Sequence, residues 1–209
     1  MSDIERVSPG EIEKRSFEII RSEMTRTDLP EDELLVLMRV IHTSADFDYE
    51  KNLVFQEDAV KKAKALLLAG TDIVTDTRMA AEGIHRKSLT RLGGHVLNFM
   101  QDEDVAREAR QRNLTRSYVC MEKAAALKRP LIFAVGNAPT ALLALCDLMD
   151  RGYEPALVIA VPVGFVNAEA SKELILQRNC PSIVARGRKG GSAIAAAIVN
   201  ALLYQVTDR

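Results

Sequence analysis

A three-layer α/β protein, with a mainly parallel sheet covered by helices on both faces, is predicted by three features of the last third of the chain. Leu131–Val135, 157–161 and Ser182–Ala185 are short, largely apolar runs without polar alternation. Segments of helical composition separate them, and each run ends in a loop carrying glycine or proline. Strands buried on both faces read as continuous apolar runs, and helical crossovers between them make neighbouring strands parallel. Right-handed crossovers bring the strand-to-helix loops to one edge of the sheet, where ligands of α/β proteins bind. The expected topology is Rossmann-like.

The elements follow in order. The opening segment to about Thr27 is polar and helical, with Ile12, Phe17, Ile19 and Ile20 as its apolar positions. A second helix starts at Pro30-Glu31-Asp32-Glu33, acidic in its first turn where the helix dipole favours carboxylates, and runs through the apolar residues 34–41. Residues 52–55 form a short strand, 57–69 a helix closed by Gly70, and Asp72–Thr75 a strand. A helix then runs from near Asp76 to Gly83, with Asp76 as its natural N-cap. Residues 95–97 are a weak strand and 102–127 helical. The three apolar strands alternate with helices to about Met149, from Val166 through Leu176, and from Gly191 to about Tyr204. The expectation is one domain over 1–209, with residues 1–50 as a helical segment packed on the α/β core.

Composition narrows the function. The 209 residues carry 28 Lys+Arg and 29 Asp+Glu, a formal charge of −1, and 47% are hydrophobic. The composition is that of a globular chain, and without a basic excess nothing points to nucleic acid. The N-terminus lacks an apolar export core, and the most apolar stretches, 156–166 and 193–203, fall short of the ~20 residues of a membrane span. Cys120, Cys146 and Cys180 are widely spaced with no CxxC pair, which suits reduced, buried thiols in a cytoplasmic protein.

The loops after 75, 135, 161 and 185 carry the unusual residues. Arg186-Gly187-Arg188-Lys189-Gly190-Gly191-Ser192 matches neither the Walker A nor the GxGxxG spacing. It does combine three cations, glycines and a helix start, a combination suited to phosphate or carboxylate; a solvated, glycine-capped turn is the other reading. In Gly136-Asn137-Ala138-Pro139-Thr140, Pro139 starts a helix that Asn137 caps, or the turn packs against a flat ligand. The apolar loop Pro162-Val163-Gly164-Phe165-Val166 requires a cover, either a subunit or an apolar ligand. His85 and His95 read as structural, and no histidine has metal-ligand spacing. His42 ends the second helix, three residues after Arg39 and four before Asp46. Both the helix C-terminus and the carboxylate favour an imidazolium, so His42 is a candidate proton donor as well as a candidate structural residue. No GxSxG elbow or loop cysteine supports nucleophilic catalysis.

Taken together and in order, these segments resemble the precorrin-8X methylmutase family of corrin biosynthesis. The resemblance runs through 12–20 (IEKRSFEII), Arg39-Val40-Ile41-His42-Thr43, Asp46-Phe47-Asp48, Asp76, Met79, Gly83-Ile84 and Thr115-Arg116-Ser117. It continues through GNAPTAL from Gly136, PVGFVNAEASKE from Pro162 and GRKGGSAIAAAIVNAL from Gly187. Thr77-Arg78 and Asn167 depart from it. The resemblance implies an isomerase that moves a methyl group from carbon 11 to carbon 12 of precorrin-8X or cobalt-precorrin-8, giving hydrogenobyrinate or cobyrinate. It also implies a homodimer with no cofactor and no metal, in which His42 is the catalytic histidine. The substrate is a flat apolar ring edged with carboxylates. Arg15, Arg39, Arg116 and Arg186 are its candidate clamps, and Ser16, Thr43, Asn137 and Thr140 its neutral hydrogen-bonding groups. Asp76, Met79, Gly136, Ala138, Pro139, Gly164, Phe165, Val166, Gly187, Lys189, Gly190 and Gly191 complete the expected binding surface. Two other readings stand beside it: a non-catalytic corrinoid carrier, and a phosphosugar- or nucleotide-binding α/β enzyme using the 186–191 loop.

Overall fold

Apolar runs at the expected positions become the central strands of one six-stranded sheet in a computed structural model, which describes residues 6–207. The chain runs α1 (Ile12–Glu23), α2 (Glu31–Ser44), α3 (Tyr49–Asn52), β1 (Leu53–Gln56), α4 (Ala59–Leu68) and β2 (Asp72–Thr75). It continues α5 (Arg78–Gly83), α6 (Arg86–Arg91), β3 (Val96–Leu97), α7 (Glu103–Gln111), α8 (Arg116–Ala125) and β4 (Leu131–Val135). The last third is α9 (Pro139–Asp150), β5 (Leu157–Ala160), α10 (Ala168–Leu176), β6 (Ser182–Ala185) and α11 (Ser192–Tyr204).

The strand order is β1-β6-β5-β4-β2-β3. Every pairing is parallel except β1 with β6, so the sheet is mainly parallel with one antiparallel edge. Alternate residues of the apolar strands enter different cores. Ile132, Ala134, Ile159 and Ile183 pack with α2, α4 and α11, whereas Leu131, Phe133, Val135, Val158 and Val184 pack with α8, α9 and α10. Burial on both sides explains why β4 and β5 lack polar alternation. The two N-terminal helices join the first layer, α2 lying against α11 and α1 against α2.

The first helix ends at Glu23, not near Thr27. Beyond it the backbone N–H groups of Thr25 and Arg26 turn to the buried Glu50 carboxylate, at 2.7 and 2.6 Å, and so leave the helical path. The short helices α3 and α6 were not expected from the sequence; at four and six residues they carry little periodic signal.

From β2 the chain moves outward to β3 and then returns to β4 on the other side of β2. The carboxyl ends of β2 and β4 therefore flank a topological switch point, the place where open α/β sheets form a ligand crevice. Asp76 follows β2 there, and Gly136 follows β4. Gly136 is required by close approach: a Cβ would stand 2.7 Å from Ser192 Cα and 2.9 Å from the Gly191 carbonyl oxygen. Both contacts are backbone and cannot rotate away. Gly136→Ala should therefore cost about 1–3 kcal/mol by overpacking and lower the melting temperature by roughly 3–10 °C. Thermal unfolding of the two proteins checks this, and an unchanged midpoint would mean that α11 can retreat.

Candidate active site

The four loops at the carboxyl edge form one surface stitched by backbone bonds. Gly191 N–H donates to the Val161 carbonyl at 2.9 Å and Gly164 N–H to that of Arg188 at 3.1 Å. Arg186 N–H reaches Asn52 O at 2.8 Å, tying the last loop to the segment before β1. Gly190 lies so close to the Val161 carbonyl that a Cβ would overlap it.

Asp76 holds the switch point together. Its carboxylate is buried and accepts the N–H groups of Gly136, Asn137 and Ala138 at 2.9, 2.8 and 2.7 Å. These donors lie in the turn that leads from β4 into α9, ending at Ala138, the N-cap residue of that helix, which has no side-chain cap. Two expectations are corrected here. Asp76 does not cap the helix that follows it: Thr77 does, its hydroxyl accepting Ala80 N–H at 3.0 Å. Asn137 does not cap α9, because the helix starts one residue later with Ala138 in the N-cap position and no side-chain cap. Burial pushes the Asp76 carboxyl above its ordinary range, and the three N–H bonds pull it back.

Beside this turn, the hydroxyl of Thr140 receives hydrogen bonds at 2.8 Å from Thr115 and shares one with Ser117. The N-terminus of α8 is thereby docked at the carboxyl edge, with Arg116 exposed on its first turn and without an ion pair among the described residues. Along the rim stand exposed apolar side chains: Met79 at 71%, Phe165 at 84% and Val166 at 79%. Water-facing residues of this size in neighbouring loops mark a surface built to be covered.

The cationic loop is less free than its sequence suggests. Lys189 bridges Asp46 and Asp48, at 2.6 Å to each, and Arg186 is held by Glu173 at 2.7 and 2.8 Å. Only Arg188 lacks an ion pair among the described residues; its guanidinium lies 5.5 Å from the centre of the Phe165 ring. The anions expected at this helix start are thus partly supplied by the protein. The same contacts join the loop to α2, because Asp46 follows the last turn in which His42 lies. Asp46 therefore serves Lys189.

His42 is exposed, with its ring 5.4 Å from that of Phe17. It borders an open, mainly apolar basin of about 320 Å³ lined by Ser16, Ile19, Ile20, Ile41, Ala45 and Phe47, with Glu23 as its one carboxylate. Of the other residues on these helices, Ser16 bonds back to Ile12 O, and Thr43 to Arg39 O. Arg39 is paired with Glu13 at 2.6 Å and sandwiched by the rings of Phe17 and Tyr204. Arg15 faces a separate depression beside Glu11 and Glu18. The expected residues thus form two groups, one at the sheet edge and one on α1 and α2, joined by Lys189.

One residue escaped sequence reasoning. Lys172 of α10 is 0% exposed, and its ammonium donates to the carbonyls of Gly187 and Lys189, both at 2.8 Å. Burial pushes it down to about 8, with Glu169 acting weakly in the other direction. It lies within the 162–173 stretch that carries the resemblance, but a lysine in an amphipathic helix ordinarily reads as a solvated face, so nothing local marked it as buried. With the unfolded value near 10.4, the unfolded chain binds more protons than the folded one between pH 8 and about 10.5. The stability penalty from this ammonium is full below pH 8 and is lifted as pH rises through that window. Urea midpoints of wild type should accordingly climb relative to Lys172→Met from pH 8 to 10, and parallel profiles would refute the assignment.

The remaining candidates for chemistry are structural. His85 bonds Ser88, and His95 lies against Asp72 at the opposite end of β2. Burial raises the thiols of Cys120, Cys146 and Cys180 to about 12, 11 and 12, far from a working nucleophile. Among the described residues, no cluster of His, Cys, Asp or Glu could hold a metal, and no helix is long and apolar enough to cross a membrane.

An apolar rim, unpaired arginines and a glycine loop gathered at the strand ends define a doubly wound α/β protein with a candidate ligand surface at its carboxyl edge. Comparison makes this specific. The profile described as precorrin-8X methylmutase matches residues 11–205. A cobalt-precorrin-8 methylmutase from Priestia megaterium is 39% identical over 197 residues, covering 94% of this chain and 88% of that protein. A precorrin-8X methylmutase from Pseudomonas aeruginosa is 39% identical over 194 residues, covering 91% and 93%. The crystal structure of a precorrin-8X methyl mutase from Thermus thermophilus superposes with a TM-score of 0.87 at 34% identity, covering 94% of this chain and 97% of that one. The chain belongs to the precorrin-8X methylmutase family, and it is an enzyme of the isomerase class.

Proposed function

We propose that the protein moves a methyl group from carbon 11 to carbon 12 of precorrin-8X or cobalt-precorrin-8, giving hydrogenobyrinate or cobyrinate, with His42 as the proton donor. The observation that carries this reading is an exposed imidazole over an apolar basin, on a helix end that Lys189 ties to the glycine loop. A macrocycle stacked on the apolar surface would bring its conjugated edge to His42. Protonation there stabilises the charge shift as the methyl migrates, and the proton returns to His42 as the product forms, since substrate and product are isomers. No atoms are gained or lost, so the reaction calls for no cofactor.

The carboxylate fringe of the substrate meets Arg116 and Arg188 directly. Arg15, Arg39 and Arg186 would exchange Glu18, Glu13 and Glu173 for substrate carboxylates. Exposed ion pairs are worth only about 0–1 kcal/mol, so the exchange costs little at Arg15 and Arg186; Arg39, held between the rings of Phe17 and Tyr204, exchanges less freely. The reading takes residues 1–209 as one cytoplasmic unit acting as a homodimer, in which a second copy covers part of the Met79, Phe165 and Val166 rim. Nucleic acid and membrane have no part in it. An absorbance time course of the purified protein with precorrin-8X and with cobalt-precorrin-8 tests the activity, since the product chromophore differs. Steady conversion of either supports the reading. A spectral change on mixing that goes no further would point to a corrinoid carrier.

A further inference from the structure

We infer that Lys172 is a positioning residue for the methylmutase site, holding the 187–191 loop so that Arg188 faces the Phe165 rim and Lys189 reaches α2. This inference rests on the function proposed above. Three successive carbonyls of the loop are taken by protein donors: Gly187 and Lys189 by the Lys172 ammonium at 2.8 Å each, and Arg188 by the Gly164 N–H at 3.1 Å. With the backbone held inward in this way, the Arg188 side chain stacks over Phe165 and that of Lys189 bridges Asp46 and Asp48. Lys172 therefore sets both the unpaired rim cation and the link to the helix that carries His42.

Stability does not explain this lysine. It is among the largest fully buried side chains, and no carboxylate lies within ion-pair distance of it among the described residues. A buried ammonium served only by neutral carbonyls carries a desolvation cost that an apolar side chain of the same length avoids. What the lysine adds is direction, two donors aimed from one point at two carbonyls of one loop.

The test compares wild type, Lys172→Met and Lys172→Gln, the last in case the methionine variant fails to fold. Amide exchange in peptides covering 161–166 and 186–192 should accelerate tenfold or more in Lys172→Met, while its melting temperature stays level or rises. The kcat/KM for the macrocycle should fall at least tenfold. Lys189→Ala should lower activity in the wild type but add less than threefold in the Lys172→Met background, because the two act through one loop. Unchanged amide exchange, undiminished kcat/KM, additive losses or a melting temperature that falls together with activity would each overturn the inference. If wild type converts neither macrocycle, the functional reading fails separately, and the exchange arm still decides whether Lys172 holds the loop.

Discussion

His42→Ala is expected to lose about 10²–10⁴-fold in kcat, the range supplied by general acid catalysis, while still binding the macrocycle. The structure separates this loss from a folding defect. His42 is exposed, and its one aromatic neighbour is Phe17, at 5.4 Å between ring centres. Losing that contact costs about 0.5–1.5 kcal/mol at most, a shift of a few degrees in the melting temperature. His42→Asn keeps a polar side chain but offers no transferable proton, so it should be as inactive as the alanine variant. Absorbance turnover read beside equilibrium binding checks both. Full activity in either variant would remove His42 from the mechanism and leave the restraint of the macrocycle as the catalytic device.

Asp76→Asn carries the largest expected loss of stability. The carboxylate accepts three N–H groups from the turn after β4, with Oδ1 serving Gly136 and Oδ2 serving Asn137 and Ala138. An amide can present an oxygen to only one side, so its NH₂ must face at least one donor. Hydrogen bonds to charged groups are worth about 1.5–3 kcal/mol each, and a buried unpaired donor adds its own penalty. A loss of about 3 kcal/mol or more is expected, lowering the melting temperature by roughly 6–12 °C for a chain of this size. Turnover should fall as well, because the same turn places Thr140 against Thr115 and Ser117 and so docks Arg116. A midpoint within 2 °C of wild type would show that water can replace the carboxylate there.

Both predictions turn on residues that the sequence singles out, yet they were not equally readable. His42 was found from a helix end three residues after Arg39, a local pattern that survived folding unchanged. Asp76 reads as the cap of the helix that follows it but holds a distant turn instead, since a short-range rule for N-caps looks only a few residues ahead. Its true partners lie 60 to 62 positions away. The 186–192 loop shows the same division. Its cations and glycines were evident, but its pairing with Asp46, Asp48 and Glu173 was not, and Lys172, though inside the 162–173 stretch that carries the resemblance, had nothing to mark it as buried.

Composition, periodicity and turn chemistry were sufficient for the α/β class, for nearly every strand and long helix, and for the gathering of the glycine- and proline-bearing loops at one edge of the sheet. Those properties depend on spacing within a few residues, which any stretch of chain displays by itself. Which carboxylate caps which loop, which cations remain free, and how α2 meets the carboxyl edge were decided only by the tertiary fold. Lys189 and Asp46 are 143 residues apart, and burial at Asp76 and Lys172 depends on layers assembled from the whole chain. Hydrogen bonds and desolvation act through space, and separation along the chain carries no information about either until the sheet has formed.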